Sequence, residues 1–347
     1  MASRMFVVTV VVACGIAAGG SALLKAWQDS PQQTSPPPFQ VPGVKSADTT
    51  PPPGDGNEFK ISSEVELVLL DVSVKGADGG FVSGLKKEDF HIYDSKIDQP
   101  IRIFASQDAP VTVGLVVDNS GSVRPKKPEI VTAALTFVTQ SNPHDEVFIV
   151  NFSDAASLAL PSETPFTSDR AILRTALLSN PAQGRTALND ALKMALEHLD
   201  KGRLDKKTLV LVSDGGDNAS DVTKDEIVKL AEHSLATIYT IGIFDADDRD
   251  KNPGFLRELA KITGGEAFIP ENKDHLVGIC EKIARDIRSR YTLGFAPSDI
   301  PGAKPGKPRP LRVTAIDPTS GKKLDVRTRT QYFPLNHSRP RTEAASK

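Results

Sequence analysis

VTVGLVVDNSGSV, residues 111–123, places a run of strand-forming residues directly before a carboxylate and several small polar side chains. The run does not alternate between apolar and polar residues, which is typical of a strand buried on both faces of a sheet. A strand end only has to turn, and glycine or asparagine alone would allow that. The pattern Asp118-x-Ser120-x-Ser122 therefore leaves three interpretations open: a turn, a catalytic serine or part of a metal site.

Apolar strands and amphipathic helices alternate along the chain after this stretch. Further strands are predicted at DEVFIVNF (145–152), KTLVLVS (207–213), ATIYTIGIF (236–244) and GEAFIP (265–270). Helical spacing of apolar residues predicts helices at EIVTAALTFVTQS (129–141), TALNDALKMALEHL (186–199), TKDEIVKLAEHS (223–234), GFLRELAKI (254–262) and DHLVGICEKIARDIRSR (274–290). This alternation predicts an α/β domain over residues 108–290, with an open, mostly parallel, Rossmann-like sheet and helices on both faces.

The segments on either side of this domain have the two-residue period of strands. Residues 59–107 contain two strand-like runs around Gly/Asp turns, and residues 291–334 repeat the pattern around the turn PTSGKK. Each segment is too small to form a stable sheet sandwich alone. We therefore predict that they pair across the chain into one small β-rich domain.

The N-terminal residues have the pattern of an export signal followed by a linker. Residues 1–25 contain Arg4 and then about twenty apolar or small residues, which predicts a signal peptide or an N-terminal membrane anchor. Cys14, in VVAC, also fits a loose lipoprotein box, so lipidation stays open. Residues 26–58 are proline-rich and predicted to be a disordered linker, and residues 335–347 a disordered tail. Each alternative predicts an extracytoplasmic location: secreted, periplasmic or anchored at the cell envelope.

Composition excludes several classes of function. The formal net charge of -2 gives no basis for binding nucleic acid. The chain has two cysteines, and only Cys280 lies in the folded part, which excludes a disulfide framework and a thiolate zinc cage. The helical pattern predicts that Cys280 lies in the core as a small apolar side chain.

Polar side chains follow two predicted strands and begin one helix. Asp118, Ser120 and Ser122 follow the first strand, Asp214 follows KTLVLVS, and QGRTALNDAL presents Thr186 at a helix start. In open α/β sheets, ligands bind beyond the carboxyl ends of the strands. An all-oxygen set with two carboxylates suits Mg²⁺, or Mn²⁺ or Ca²⁺, better than zinc or copper.

Two other interpretations compete with the metal site. Each segment alone could be an ordinary turn or helix cap, although their joint placement at one sheet edge argues against this. A serine hydrolase would need a histidine base, and none of the six histidines follows a strand toward this edge. DNSGS also lacks the Gly-x-Ser-x-Gly elbow. We therefore expect no enzymatic activity.

VVDNSGSV, GRTALNDAL and LVSDGGDN together resemble the von Willebrand factor type A domain with its metal-ion-dependent adhesion site. The β-rich flanks resemble those of bacterial exported proteins that carry such a domain. The resemblance implies the same Rossmann-like fold and a site for a divalent cation. Its metal ligands would be Asp118, Ser120, Ser122, Thr186 and Asp214. It also implies that a protein partner supplies an exposed Asp or Glu carboxylate to the open position on the ion.

Three further residues are candidates for contact with the partner. Asn119 fills the variable second position of the first motif, and Arg185 stands where the family often has glycine. Asp217 follows Asp214 in the third motif. The expected function is an extracytoplasmic, metal-dependent protein-binding module of the adhesion type. One alternative is an envelope scaffold or assembly protein with a vestigial metal site, and a further alternative is a hydrolase.

Overall fold

The run at residues 111–118 forms a strand at the centre of a six-stranded sheet, and all eight of its residues are buried. The computed structural model describes residues 67–106, 108–244, 251–271, 275–298 and 306–334. In these residues the strands, in chain order, are β1 (Val68–Lys75), β2 (Phe90–Asp94), β3 (Ile97–Gln99), β4 (Ile101–Ala105), β5 (Val111–Asp118), β6 (Glu146–Phe152), β7 (Ala156–Leu158), β8 (Lys206–Ser213), β9 (Thr237–Gly242), β10 (Ala267–Phe268), β11 (Tyr291–Phe295), β12 (Arg309–Ala315), β13 (Asp325–Arg327) and β14 (Gln331–Tyr332). The helices are α1 (Lys127–Gln140), α2 (Arg170–Leu178), α3 (Leu188–Leu199), α4 (Lys224–His233), α5 (Pro253–Thr263) and α6 (Leu276–Arg288).

The central sheet has the order β10-β9-β8-β5-β6-β7. Neighbouring strands from β10 to β6 are parallel, and only β7 runs antiparallel, beside β6. Helices cover the sheet: α1 packs with α2 and α6, and α4 packs with α3 and α5. Because β5, β6 and β9 are buried along their whole length, both faces of the sheet are covered. The predicted open, mostly parallel α/β fold is confirmed.

One helix of this domain has no counterpart in the sequence prediction. Helix α2 begins after Asp169, whose side chain accepts hydrogen bonds from the backbone N–H of Ala171 and Ile172. It is short and buries few residues, with Leu173 and Leu177 facing the core. A helix of this length gives too few repeats of the apolar period to stand out in a sequence.

The two flanking segments pair with each other across the chain. Strand β1 pairs with β11 and β13, and β12 pairs with β2, in every case antiparallel. They belong to two four-stranded sheets with the orders β13-β1-β11-β4 and β14-β12-β2-β3. Both sheets contribute to one apolar core, formed by Leu70, Val72, Val74, Leu85, Phe90, Ile92, Ile101, Tyr291, Leu293, Phe295, Leu311, Val313, Ala315 and Tyr332. We call these two sheets the β-sandwich.

A buried polar network joins the β-sandwich to the α/β domain. Arg290, only 1% exposed, lies 3.5 Å from Asp286 and 3.3 Å from Asp71 of β1, and donates to the hydroxyl of Tyr239 in β9. Burial by itself would lower the pKa of Arg290, but Tyr239 and the two carboxylates raise it above its ordinary value. Ser73 of β1 donates to Asp286 at 2.5 Å. A buried charge needs such partners, so this network restricts how the two parts can pack.

Several sequence predictions concern residues that lie outside the described ones. These are the signal peptide or anchor at 1–25, the linker at 26–58, the first residues of the segment that begins at 59, and the tail at 335–347. In the described residues, no helix combines the length and the apolar character needed to cross a bilayer.

Candidate metal centre

Asp118 is the last residue of β5 and is fully buried at the carboxyl end of the sheet. One carboxylate oxygen accepts a hydrogen bond from the backbone N–H of Ser120 at 2.8 Å. The other accepts one from the hydroxyl of Ser213, the last residue of β8, at 2.7 Å. Because β5 and β8 are parallel neighbours, their ends lie side by side and this bond closes the gap between them.

Asp214 and Ser122 connect the loops that follow these two strands. The Ser122 hydroxyl donates to Asp214 at 2.7 Å and lies 3.0 Å from the Ser120 hydroxyl. The second oxygen of Asp214 accepts from the backbone N–H of Gly216 at 2.9 Å. Ser120 and Asp214 are buried, whereas Ser122 is exposed. Hydrogen bonds therefore hold the buried residues of the cluster in place, and the cluster is exposed to solvent at Ser122.

The Thr186 loop reaches this cluster through backbone contacts. The Gly121 N–H donates to the Gly184 carbonyl at 3.0 Å, and the Gln183 N–H donates to the Asn119 carbonyl at 2.8 Å. Thr186 itself is 7% exposed, and its N–H donates to the Asn218 side chain. The structure thus brings the predicted ligands to one sheet edge. Asp118 is linked to Ser120 through the Ser120 N–H, and the hydroxyl groups continue the chain of hydrogen bonds to Ser122 and Asp214. Thr186 is placed beside them by its loop.

The two carboxylates of the cluster influence each other. Burial, followed by the negative charge of Asp214, raises the pKa of Asp118 to about 6, although hydrogen bonds from Ser120 and Ser213 act in the opposite direction. Lys127 is the nearby cation: it donates to the side chain of Asn119, and burial lowers its pKa to about 8. Two close carboxylates in a buried site are stabilised by positive charge between them.

The donor set fits a hard divalent cation. It consists of two carboxylates and hydroxyl groups, which are the ligands that Mg²⁺, Mn²⁺ and Ca²⁺ prefer. In the described residues, no group of three or more His, Cys, Asp or Glu is placed to hold a metal. A cation at this edge would therefore depend on serine and threonine oxygens and on ligands from outside the protein.

The structure gives the three candidate partner-binding residues contacts within the protein. Asn119 is 2% exposed, and its amide donates to the Asn151 side chain and the Val117 carbonyl, so it anchors the loop. Asp217 accepts from the N–H of Asn189 at 2.7 Å, near the start of α3. Arg185 is exposed.

Arg185 forms an exposed ion pair with Asp154. The two side chains are 3.3 Å apart, and the Arg185 N–H also donates to the same carboxylate oxygen at 3.0 Å. The hydrogen bonds to Arg185 lower the pKa of Asp154. The positive charge of Arg185 is therefore balanced by a carboxylate from the loop after β6.

Sequence reasoning missed Ser213 and Lys127. Ser213 directly precedes Asp214, and the parallel register of β8 against β5 places its hydroxyl against Asp118. To predict that contact, one must know the strand order, which the sequence pattern does not contain. Lys127 lies nine positions after Asp118 at the start of α1, and a lone lysine there has no distinguishing pattern.

Comparison with known proteins found similarity over part of this chain. Residues 113–216 match the family model of the von Willebrand factor type A domain. An uncharacterized protein of Borreliella burgdorferi is 28% identical over 160 residues, which cover 40% of this chain and 45% of that protein. Another, from Synechocystis sp., is 27% identical over 168 residues, covering 47% of this chain and 38% of that protein. The match therefore spans less than half the length of both curated relatives.

A solved structure of a von Willebrand factor type A protein from Catenulispora acidiphila is also similar to this chain. It is 15% identical, covers 70% of this chain and 73% of its own, and superimposes with a TM-score of 0.47. The matched residues 113–216 include most of β5, all of β6 and β8, and the loops of Asp118, Thr186 and Asp214. Over residues 113–216, the chain is therefore similar to the von Willebrand factor type A domain.

Proposed function

We propose that this protein is an extracytoplasmic binding module that captures a partner protein through a divalent cation. The cation, Mg²⁺ or alternatively Mn²⁺ or Ca²⁺, would be held by Asp118, Ser120, Ser122, Thr186 and Asp214. A carboxylate of an exposed Asp or Glu on the partner would complete its coordination. Such a cation would supply the positive charge that joins the two carboxylates of this protein to the carboxylate of the partner.

The observation that carries this proposal is the convergence of Asp118 and Asp214 with Ser122 at one sheet edge. The Ser122 hydroxyl lies 2.7 Å from Asp214 and is exposed, so it marks where a ligand from another molecule could approach. In the described residues, the Ser120 N–H donates to Asp118, the two serine hydroxyls bond to each other, and the Ser122 hydroxyl donates to Asp214. Neither hydroxyl is hydrogen-bonded to a histidine in these residues. This arrangement supports binding over serine chemistry, and we propose no enzymatic activity.

Metal binding is tested on the full chain by titration calorimetry with Mn²⁺ and Mg²⁺. Asp118→Asn keeps the size of the side chain and removes its charge, so we expect at least about tenfold weaker binding. Asp98→Asn, which changes an exposed carboxylate in the β-sandwich, is the matched control and should bind like the wild type. Equal affinity of the wild type and Asp118→Asn would contradict the proposed ligand set.

Partner capture is tested by a pull-down from envelope or extracellular extract. We expect Mg²⁺-dependent capture that EDTA abolishes and that Asp118→Asn and Ser122→Ala both lose. Capture that survives EDTA and both substitutions would refute the adhesion mechanism. Ester or phosphate turnover that disappears in Ser120→Ala would instead establish the hydrolase alternative.

A second candidate function, a scaffold or assembly protein with a vestigial metal site, is favoured by Lys127. Its ammonium group donates to Asn119 and its charge acts on Asp118, where it offsets part of the negative charge that a cation would otherwise balance. The substitution Lys127→Met separates the two functions. The binding module predicts tighter Mg²⁺ binding by the variant because a repelling charge is removed, whereas the scaffold predicts no Mg²⁺ binding by either protein.

A further inference from the structure

A cavity of about 330 Å³ lies between the β-sandwich and the amino ends of the central strands, at the end of the sheet opposite the candidate metal centre. The sandwich contributes Leu69 of β1 and Ile103 of β4, and the α/β domain contributes Lys206 and Leu235. Its volume is within the range of about 300–1,000 Å³ that is usual for small-molecule sites. Neither the metal site nor the family resemblance assigns it a role.

One wall of the cavity is apolar and open to solvent. Leu235 is 63% exposed, Leu69 38% and Ile103 36%, although each lines the cavity. Leu69 and Ile103 lie on either side of Gly294, where an added Cβ would come within 3.1 Å of Leu69 and 2.8 Å of Ile103. Exposed apolar side chains that line one concave surface are typical of a ligand site.

The lining of the cavity also contains a buried cation, Arg329, which is 8% exposed. Its guanidinium donates to the Ser234 carbonyl, and in the described part of the chain it forms no ion pair with a carboxylate. Burial lowers the pKa of Arg329. Arg290, in contrast, is also buried but pairs with Asp286 and Asp71. A buried charge without a counter-ion is unfavourable, and an anion placed against it would relieve that cost.

Other polar groups of the cavity are compatible with an anion. Two carboxylates, Asp71 and Asp205, line the cavity. Asp205 is exposed to solvent. One oxygen of Asp71 lies 3.3 Å from Arg290 and the other 3.9 Å from Lys206, so its charge is already offset. The Thr328 hydroxyl is buried and has no hydrogen-bond partner in the described structure, which leaves it free to donate. Arg329 and Thr328 therefore provide adjacent donors beside the apolar wall.

We propose that this cavity binds a small amphipathic monocarboxylate, such as a medium-chain fatty acid. The carboxylate would pair with Arg329 and accept a hydrogen bond from Thr328. The hydrocarbon chain would cover Leu69, Ile103 and Leu235. Because the lining comes from both the β-sandwich and the α/β domain, the ligand would bridge them and stabilise their packing.

The test is calorimetric titration and thermal unfolding of the full chain with octanoate, kept below its aggregation concentration. Octanol, which has the chain without the charge, and acetate, which has the charge without the chain, are the matched ligands. We expect octanoate to bind saturably and to raise the unfolding temperature, and octanol and acetate to bind at least about tenfold more weakly.

Two substitutions locate the site. Arg329→Gln removes the cation and should weaken octanoate binding by at least about tenfold, because charge-assisted hydrogen bonds are lost. Leu235→Asn removes exposed apolar surface from the wall and should also weaken binding. Leu178→Asn changes a leucine that is 57% exposed on α2, away from the cavity lining, and should leave binding unchanged.

The unliganded stability of Arg329→Gln gives a second measurement. Removal of an uncompensated buried charge should leave the unfolding temperature equal to or above that of the wild type, so loss of binding cannot be attributed to misfolding. Octanoate binding should also persist in EDTA and in Asp118→Asn, which separates this site from the metal site. Absence of saturable binding, equal binding of octanol, or equal affinity of Arg329→Gln would overturn the proposal.

Discussion

At the residue scale, two adjacent glycines determine how α5 connects to the sheet. Gly264 ends α5 in the left-handed region, with φ of 80°, which glycine adopts at little cost. At Gly265 an added Cβ would lie 2.0 Å from the carbonyl oxygen of Ile238 in β9. The neighbouring atom belongs to the backbone of a buried strand, so it cannot move aside easily. Glycine at this position allows the chain to approach β9 and to form β10.

Gly265→Ala is therefore expected to lower the free energy of unfolding by about 2 kcal/mol, as other overpacking substitutions do. Gly278→Ala is the matched control, because it lies in α6 and an added Cβ there meets no atom within 4 Å. That change should raise the free energy of unfolding by about 1 kcal/mol through helix propensity. Urea denaturation of both variants measures whether each change lowers or raises the free energy of unfolding. No effect of Gly265→Ala would contradict the close approach of Gly265 to the Ile238 carbonyl.

At the element scale, the start of α4 follows directly from the local sequence. The Thr223 hydroxyl accepts from the Glu226 N–H at 3.3 Å, and the Glu226 carboxylate accepts from the Thr223 N–H at 2.9 Å. These reciprocal bonds form a capping box and satisfy backbone donors that a helix terminus leaves without partners. Thr223 followed three residues later by Glu226 is the sequence signature of such a box, and the structure contains it because all its atoms lie within four residues.

Thr223→Ala is expected to lower the free energy of unfolding by about 1 kcal/mol, because the helix loses its cap. Thr132→Ala provides the control: Thr132 lies inside α1, is exposed, and donates to the Pro128 carbonyl. Alanine has the higher helix propensity, so this variant should be as stable as the wild type or slightly more stable. Equal effects of the two substitutions in chemical denaturation would show that the cap contributes nothing.

At the scale of the whole molecule, Glu266 connects the β-sandwich to the α/β domain. It follows α5, and its carboxylate accepts from Lys75 of β1 at 2.7 Å and pairs with Arg327 of β13. Lys282 of α6 lies 3.5 Å away. Burial by itself would raise the pKa of Glu266, but the hydrogen bonds and charges of Lys75 and Arg327 lower it below its usual 4.5.

This shift predicts how stability depends on pH. A carboxyl group with a lowered folded-state pKa stabilises the protein at pH above its unfolded pKa, and this contribution is lost as the pH falls through the folded pKa. Glu266→Gln should therefore be less stable than the wild type at pH 7, with the difference shrinking as the pH falls below about 4.5. The measurement is the free energy of unfolding from pH 7 to pH 3.

Glu163→Gln is the control for this series, because Glu163 is exposed and accepts a hydrogen bond from Ser162. It should follow the wild-type curve at every pH. A constant difference between Glu266→Gln and the wild type over the whole range would show that the ion pairs at Glu266 do not cause the acid sensitivity.

The sequence by itself determined the features that depend on neighbouring residues along the chain. The apolar runs of β5, β6, β8 and β9, the amphipathic helices and the Thr223 cap could be predicted because each is a periodic or local pattern. The convergence of Asp118 and Asp214 could also be inferred, because parallel strands present their carboxyl ends at the same edge. Helix α2 was missed because its pattern is short.

Only the tertiary structure decided which distant residues meet. It placed Ser213 against Asp118, balanced Arg185 with Asp154, and left Arg329 buried beside a cavity without a carboxylate partner in the described residues. These contacts depend on strand order, on register and on the docking of the β-sandwich. Periodicity along the chain reports only which side chains are buried, whereas the identity of each neighbour is settled when separate elements pack together.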